Sequence, residues 1–287
     1  MNNCTVNFTT HEASSFSKSQ SIGLMKMLEL CLHSFNFLFG LPTHSYVIWL
    51  IVTGTGSGVA SEFFILNLSF CEITSCLNIL VHALDHWFSS LKTLKYFSLG
   101  LFITGRPVFQ CLMCVERYLA VVHPVTFLKY KPLRYRVICC TAAWIITFGS
   151  CLCCMFTIIS SKLYIYVCFY SILFLLFLSI QLFCCLTVLR ALKQSGPGER
   201  RRDREEENHM KRRAFYLILI TTVSMPIIYM PCVISGFSYI FTHQYIQEPF
   251  AIGFFCYFLA GFVQPFLYLN RVGQFSCKTL NCLFVRV

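Results

Sequence analysis

An all-α integral membrane protein, a bundle of seven transmembrane helices followed by a short C-terminal amphipathic helix, is the fold this sequence predicts. Three observations predict it. Only 12% of the 287 residues are charged and 56% are hydrophobic, whereas a soluble domain carries about 25% charged residues. Seven apolar runs each reach the roughly 20 residues that cross a bilayer. Lys and Arg are also divided very unevenly between alternate loops, the pattern that sets orientation in a membrane.

The runs cover about 28–53, 62–84, 94–122, 134–158, 163–192, 211–240 and 248–270. Several exceed the minimum length, so they tilt or project beyond the bilayer. "GTGSGVAS" (54–61) is a short flexible turn, "HPVTFLKYKPLRYR" (123–136) a basic loop, and the connection around "SSKLY" is very short. "QSGPGERRRDREEENHMKRR" (194–213) is the one long polar segment: its Gly-Pro-Gly stops the fifth helix and its alternating charges read as solvated. In the tail, Phe275, Leu280, Leu283 and Phe284 interleave with Lys278 and Arg286, the composition of a helix lying on the inner membrane surface among lipid headgroups. Cys277 and Cys282 are candidate palmitoylation sites there, the alternative being two unmodified thiols. The chain therefore divides into an extracellular segment (1–27), the seven-helix domain (28–270) and a cytoplasmic helix or tail (271–287). The first 27 residues lack the apolar core and cleavage site of a signal peptide, so the first span serves as the insertion signal.

Orientation follows from the loops. Lys18, Lys26, Lys92, Lys95 and Lys162 lie on one side, against sixteen Lys and Arg on the other. The positive-inside rule puts the N-terminus outside. The net charge of +11 is thus topological, and no nucleic-acid partner is needed to explain it. Asn3 and Asn7 open glycosylation sequons in the N-terminal segment, while the sequon at Asn67 falls inside the second span and stays unmodified. Of the 18 cysteines most lie within spans. "CLMC" (111–114) and "CLCC" (151–154) have metal-like spacing, but no His or carboxylate completes a site and buried Cys behaves as a small hydrophobe. No metal or cofactor is implied.

The motifs come in order along the chain: "GLPTHSYVIWL" (40–50), "NLSFCE" (67–72), "HWF" (86–88), "ERYLAVVHP" (116–124), Trp144 in "AAWII", "YMP" (229–231) and "QPFLY" (264–268). Together they resemble the rhodopsin-like (class A) G-protein-coupled receptors, over all seven spans. "GLP", the short third inner loop and "LYLNRVG" resemble the branch holding purinergic, hydroxy-acid and chemokine-type receptors. The departures are His44 at an Asn position, Glu72 for Asp, Tyr229 for Trp and Gln264 for Asn. Lys92 stands where the family has the cysteine of its helix-three disulfide, which leaves Cys168 without that partner. Leu99 replaces the amine receptors' acid and Phe258 the opsins' lysine, so the resemblance implies neither an amine ligand nor retinal. Gly236 and Phe250 stand where nucleotide receptors carry a basic cluster.

The resemblance implies that Glu116, Arg117 and Tyr118 form the G-protein coupling motif. Arg117 would be held at rest by Glu116 alone, because Lys211 occupies the position of a second acid. Tyr229, Pro231, Gln264, Pro265 and Tyr268 would be the switch residues. Arg106 lies eleven residues before Arg117, about 16 Å and about 20° past three turns, so the two share a face. A lone arginine at that depth costs several kcal/mol and should face the interior with a partner. Glu72 is the expected partner, and the guanidinium would then sit where most relatives hold sodium; the alternative is Arg106 in a water pocket beside a protonated Glu72. His82, Tyr96, Leu99, Tyr229 and Phe254 are the candidate ligand residues by position, with ordinary helix packing as the competing explanation.

The function read from this is a plasma-membrane receptor that binds an unknown extracellular ligand and activates a heterotrimeric G protein. One alternative is a receptor-like protein that no longer signals, given His44, Tyr229 and Gln264. A transporter or channel would show internal repeats, and none is visible. No nucleophile–base pair or metal-ligand spacing points to an enzyme.

Overall fold

The computed structural model describes residues 27–54 except 29, 62–88 except 86, 91–194 except 131, 203–242 and 247–271. Every regular element among them is helical. The seven long helices are α1 (Leu30–Val52), α2 (Glu62–Asp85), α3 (Leu91–Val122), α4 (Leu133–Ile159), α5 (Leu163–Gln194), α6 (Asp203–Thr242) and α7 (Gln247–Arg271). Six of them are long and apolar enough to cross a membrane, and α7 adds a shorter apolar stretch at Phe255–Asn270. The fold is thus the expected all-α membrane bundle. The tail beyond Arg271 and the segment before Met27, with Asn3, Asn7, Cys277 and Cys282, lie outside the described residues.

Two boundaries differ from the sequence reading. A one-turn-plus helix, Pro124–Tyr130, occupies the basic loop after α3, with proline at its first position where no N–H is needed. More substantially, α6 begins at Asp203 rather than near 211. Its charged first three turns, "DREEENHMKRR", continue the helix outside the apolar run. The sequence there opens on acids, Asp203, Glu205 and Glu206, the charge that complements the macrodipole at a helix start.

Helix α3 is the axis of the bundle: residues Gly100 to Cys114 are buried almost without interruption. It contributes to all three apolar clusters. Leu101, Val108, Phe109 and Met113 pack with α1, α2, α4 and the end of α7. Phe102 packs with Met225, Tyr229, Tyr257 and Phe258 of α6 and α7. Cys114 packs against α5. The close approach of α3 to α4 depends on Gly100, where a Cβ would lie 2.6 Å from the Cys151 Cα, the small-residue contact that lets membrane helices meet. Polar groups inside this apolar frame pair with one another: Thr104 with Ser150 at 2.7 Å, and the Tyr170 hydroxyl donates to the Ser150 carbonyl at 2.9 Å. A π-helical segment, Asn36–Gly40, interrupts α1, and Thr53 with left-handed Gly54 (φ 69°) closes it.

Candidate functional site

The site is built around a charge that α3 carries into the apolar interior. Arg106 is 2% exposed, and its only way to avoid a large desolvation cost is to find acceptors there. Nε donates to Glu72 Oε1 and Nη2 to Glu72 Oε2 at 2.7 Å, a two-pronged ion pair between α3 and α2. Nη1 donates to the Tyr257 carbonyl on α7. The guanidinium carbon also lies 4.3 Å from the centroid of the Tyr257 ring and 5.6 Å from that of Phe102, within cation–π range. One side chain thus fastens three helices. The space for it exists because residue 261 is glycine: a Cβ there would stand 2.9 Å from Arg106 Nη2 and 3.3 Å from Glu72 Oε2. His44 of α1 is buried close by, within electrostatic reach of both charges.

The next residue extends the same junction. Pro107 has no N–H, so the carbonyl of Ile103 loses its usual helical donor. The Tyr257 hydroxyl supplies one, 3.1 Å from the Ile103 carbonyl and 2.7 Å from that of Phe102. Further along α3, the Gln181 amide of α5 donates to the Pro107 carbonyl at 2.9 Å. The Tyr229 hydroxyl of α6 donates to Gln110 Oε1 at 2.6 Å. Residues 102–110 therefore hold α2, α5, α6 and α7 through polar contacts.

At the far end of α3 the geometry differs from the expected one. Glu116 pairs with Arg136 of α4 at 3.2 Å, and Arg117 carries no ion pair among the described residues. Adjacent residues on a helix point about 100° apart, so Glu116 and Arg117 do not face each other, and Glu116 takes the cation that α4 brings alongside. Glu116 is thus paired with Arg136 rather than with the expected Arg117, whose charge still lies within electrostatic reach of it. Tyr118 meets His123 Nε2 at 3.1 Å. Gln264, Pro265 and Tyr268 are buried on α7, with the Tyr268 hydroxyl 3.4 Å from Glu62 Oε1 at the start of α2, and Pro231 is half-buried on α6.

The sequence model described as "7 transmembrane receptor (rhodopsin family)" matches residues 44–268, from His44 on α1 to Tyr268 on α7. The chain belongs to the rhodopsin family of seven-transmembrane receptors. Among curated relatives, the chemokine XC receptor 1 of Mus musculus is 30% identical over 190 residues, covering 60% of this chain and 58% of that receptor. The human C-C chemokine receptor type 8 is 26% identical over 231 residues, 72% of this chain and 62% of the relative. The Rattus norvegicus uracil nucleotide/cysteinyl leukotriene receptor is 27% identical over 135 residues, 44% and 40% of the two chains. The chain spans 58%, 62% and 40% of the length of these three relatives, less than two thirds of each. The receptors it matches place it nearest the chemokine and purinergic branch of a family of non-enzymatic receptors.

In this receptor-family bundle the remaining candidates are scattered. Tyr96 and Leu99 are half-buried on α3, and Leu99 packs on the cluster that contains Tyr229. Tyr229 is 1% exposed and committed to Gln110. Phe97 turns to α4, stacked on Phe148 at 6.2 Å. The side chains of His82, Lys211, Phe250 and Phe254 lie outside the described residues. Lys92 is exposed at the first turn of α3, and Cys168 is a free thiol. The α2 sequon is occupied otherwise: Trp144 Nε1 donates to Asn67 Oδ1 at 3.0 Å, and the Asn67 amide donates to the Phe63 carbonyl at 2.8 Å. Sequence reasoning missed Tyr257, Gly261 and Arg136. A buried guanidinium has more donors than one carboxylate can take, so a further acceptor was to be expected, but nothing in the sequence said that α7 would supply it.

Proposed function

We propose that this chain is a plasma-membrane receptor with its N-terminus outside, which binds an extracellular ligand and activates a heterotrimeric G protein through Arg117. The observation that carries the reading is Arg117 at the end of α3, within the "ERY" motif and free of an ion pair among the described residues. A guanidinium so placed is available to carbonyls of an incoming peptide. Residues 1–27 would be extracellular and glycosylated at Asn3 and Asn7, and 271–287 cytoplasmic with Cys277 and Cys282 as lipid anchors. Tyr229, Pro231, Gln264, Pro265 and Tyr268 would relay ligand binding along α6 and α7. His82, Tyr96, Leu99 and Phe254 would face the ligand. The Glu72–Arg106 pair would stand permanently where relatives hold a cation. Relatives named for chemokines, a uracil nucleotide and cysteinyl leukotrienes define the ligands to screen first.

A second reading is favoured by one observation: Arg106 ties α2, α3 and α7 together, which suits a receptor-like protein held in a single non-signalling state. G-protein activation in cells expressing the full chain separates the two. Basal or ligand-stimulated activation is expected, and Arg117→Ala should abolish it while surface expression persists. Undiminished activation by well-expressed Arg117→Ala would overturn the coupling mechanism. Silence of the wild type across G-protein subtypes would favour the second reading.

A further inference from the structure

Beside the Arg117 end of α3 lies a cluster that the proposed function does not use: Cys114 of α3 against Cys184, Cys185, Val188 and Leu189 of α5. The sulfurs of Cys114 and Cys185 are 3.6 Å apart, on two different helices, and both side chains are buried. A disulfide places its sulfurs about 2.05 Å apart, so the bond closes on an approach of about 1.5 Å between the two sulfurs. The thiols are not a metal site: among the described residues no three His, Cys, Asp or Glu side chains converge. We propose that Cys114 and Cys185 are a reversible thiol–disulfide pair that fastens α3 to α5 one helical turn from Arg117.

Hydrogen peroxide, a small uncharged oxidant able to enter an apolar helix bundle, is the co-reactant. One sulfur, as thiolate, attacks the peroxide O–O bond; a sulfenic acid forms, and the departing hydroxide takes up the thiol proton as water. The second sulfur attacks the sulfenic sulfur, the S–S bond forms, and the expelled hydroxyl leaves as a second water with the second thiol proton. Two thiols and one peroxide give one disulfide and two waters, with two electrons passing from sulfur to oxygen. A thiol pool such as glutathione reverses the step by exchange. Cys114 precedes Arg117 by three residues, so the two share a face of α3. The bridge would fix the α3–α5 spacing where coupling takes place. That consequence rests on the function proposed above, whereas the bond itself does not.

The test uses the full chain in the membranes of expressing cells, treated with hydrogen peroxide, alkylated with N-ethylmaleimide and digested. The expected result is a Cys114–Cys185 peptide pair two hydrogens lighter than the sum of its parts, absent before peroxide and lost on adding dithiothreitol. Cys184→Ala should keep it, and Cys185→Ala should remove it. The wild-type measurement needs no variant to fold. Finding both thiols alkylated after peroxide, or oxidised to sulfinic acid without a cross-link, would overturn the proposal, as would a bridge persisting in Cys185→Ala. Because mass alone reads the bond, a chain that fails to signal leaves this outcome readable.

Discussion

Arg106 decides much of what this bundle can do, because a charge in the apolar interior must be answered by its neighbours. The pair with Glu72 need not add net stability: desolvation of two charges roughly cancels their attraction. Removing one partner is different, since the other charge is then buried without compensation, a loss of roughly 3–5 kcal/mol. Glu72→Gln and Arg106→Gln should therefore each lower surface expression and the thermal unfolding midpoint in detergent. The double substitution should lose less than the sum of the two, the mark of direct coupling. Strictly additive losses would mean the charges are satisfied independently. The existence of this contact was legible in the sequence, because one acid and one base stand alone in apolar spans at positions that the family brings together. The third helix in the junction was not. Tyr257 reads as one aromatic among 30 Phe and 14 Tyr, and only the rotation of α7 turns its carbonyl to Nη1. The same applies to Glu116: proximity in sequence points to Arg117, but helix geometry turns the carboxylate to Arg136.

At the scale of the helix, proline and glycine set how α3 fits among its neighbours. Pro107 leaves the Ile103 carbonyl without a helical donor, and the Tyr257 hydroxyl takes over. Tyr257→Phe should then lower stability by about 1–3 kcal/mol, the cost of a buried acceptor left unpaired. The loss should be smaller in a Pro107→Ala background, where the restored N–H at 107 serves Ile103 directly. Thermal unfolding of the four proteins measures this, and an equal loss in both backgrounds would show that the hydroxyl acts elsewhere. The apolar runs were legible because six of them are continuous over a bilayer's width, and the seventh, shorter at Phe255–Asn270, carries the "QPFLY" motif. The start of α6 was not, since hydropathy stops at the membrane edge whereas the helix already begins at Asp203.

For the molecule as a whole, the unequal division of Lys and Arg predicts which end faces out, and with it a pattern of glycosylation. Asn3 and Asn7 fall in the segment that the positive-inside rule sends out of the cell, whereas Asn67 is on α2. An acceptor asparagine must be accessible with a free amide. The Asn67 amide is committed to the Phe63 carbonyl and its oxygen to Trp144. Enzymatic removal of N-linked glycans from the expressed chain should thus increase its gel mobility, and Asn3→Gln with Asn7→Gln together should abolish the shift. Asn67→Gln should leave the shift intact but destabilise the α2–α4 contact by about 1 kcal/mol, the net worth of the hydrogen bond from Trp144. Loss of the shift in Asn67→Gln alone would place that residue outside the membrane and break the second span. An unshifted wild type, joined with external protease cleavage in the 194–213 segment, would reverse the topology and put the basic loops, and Arg117 with them, on the side where no G protein is found.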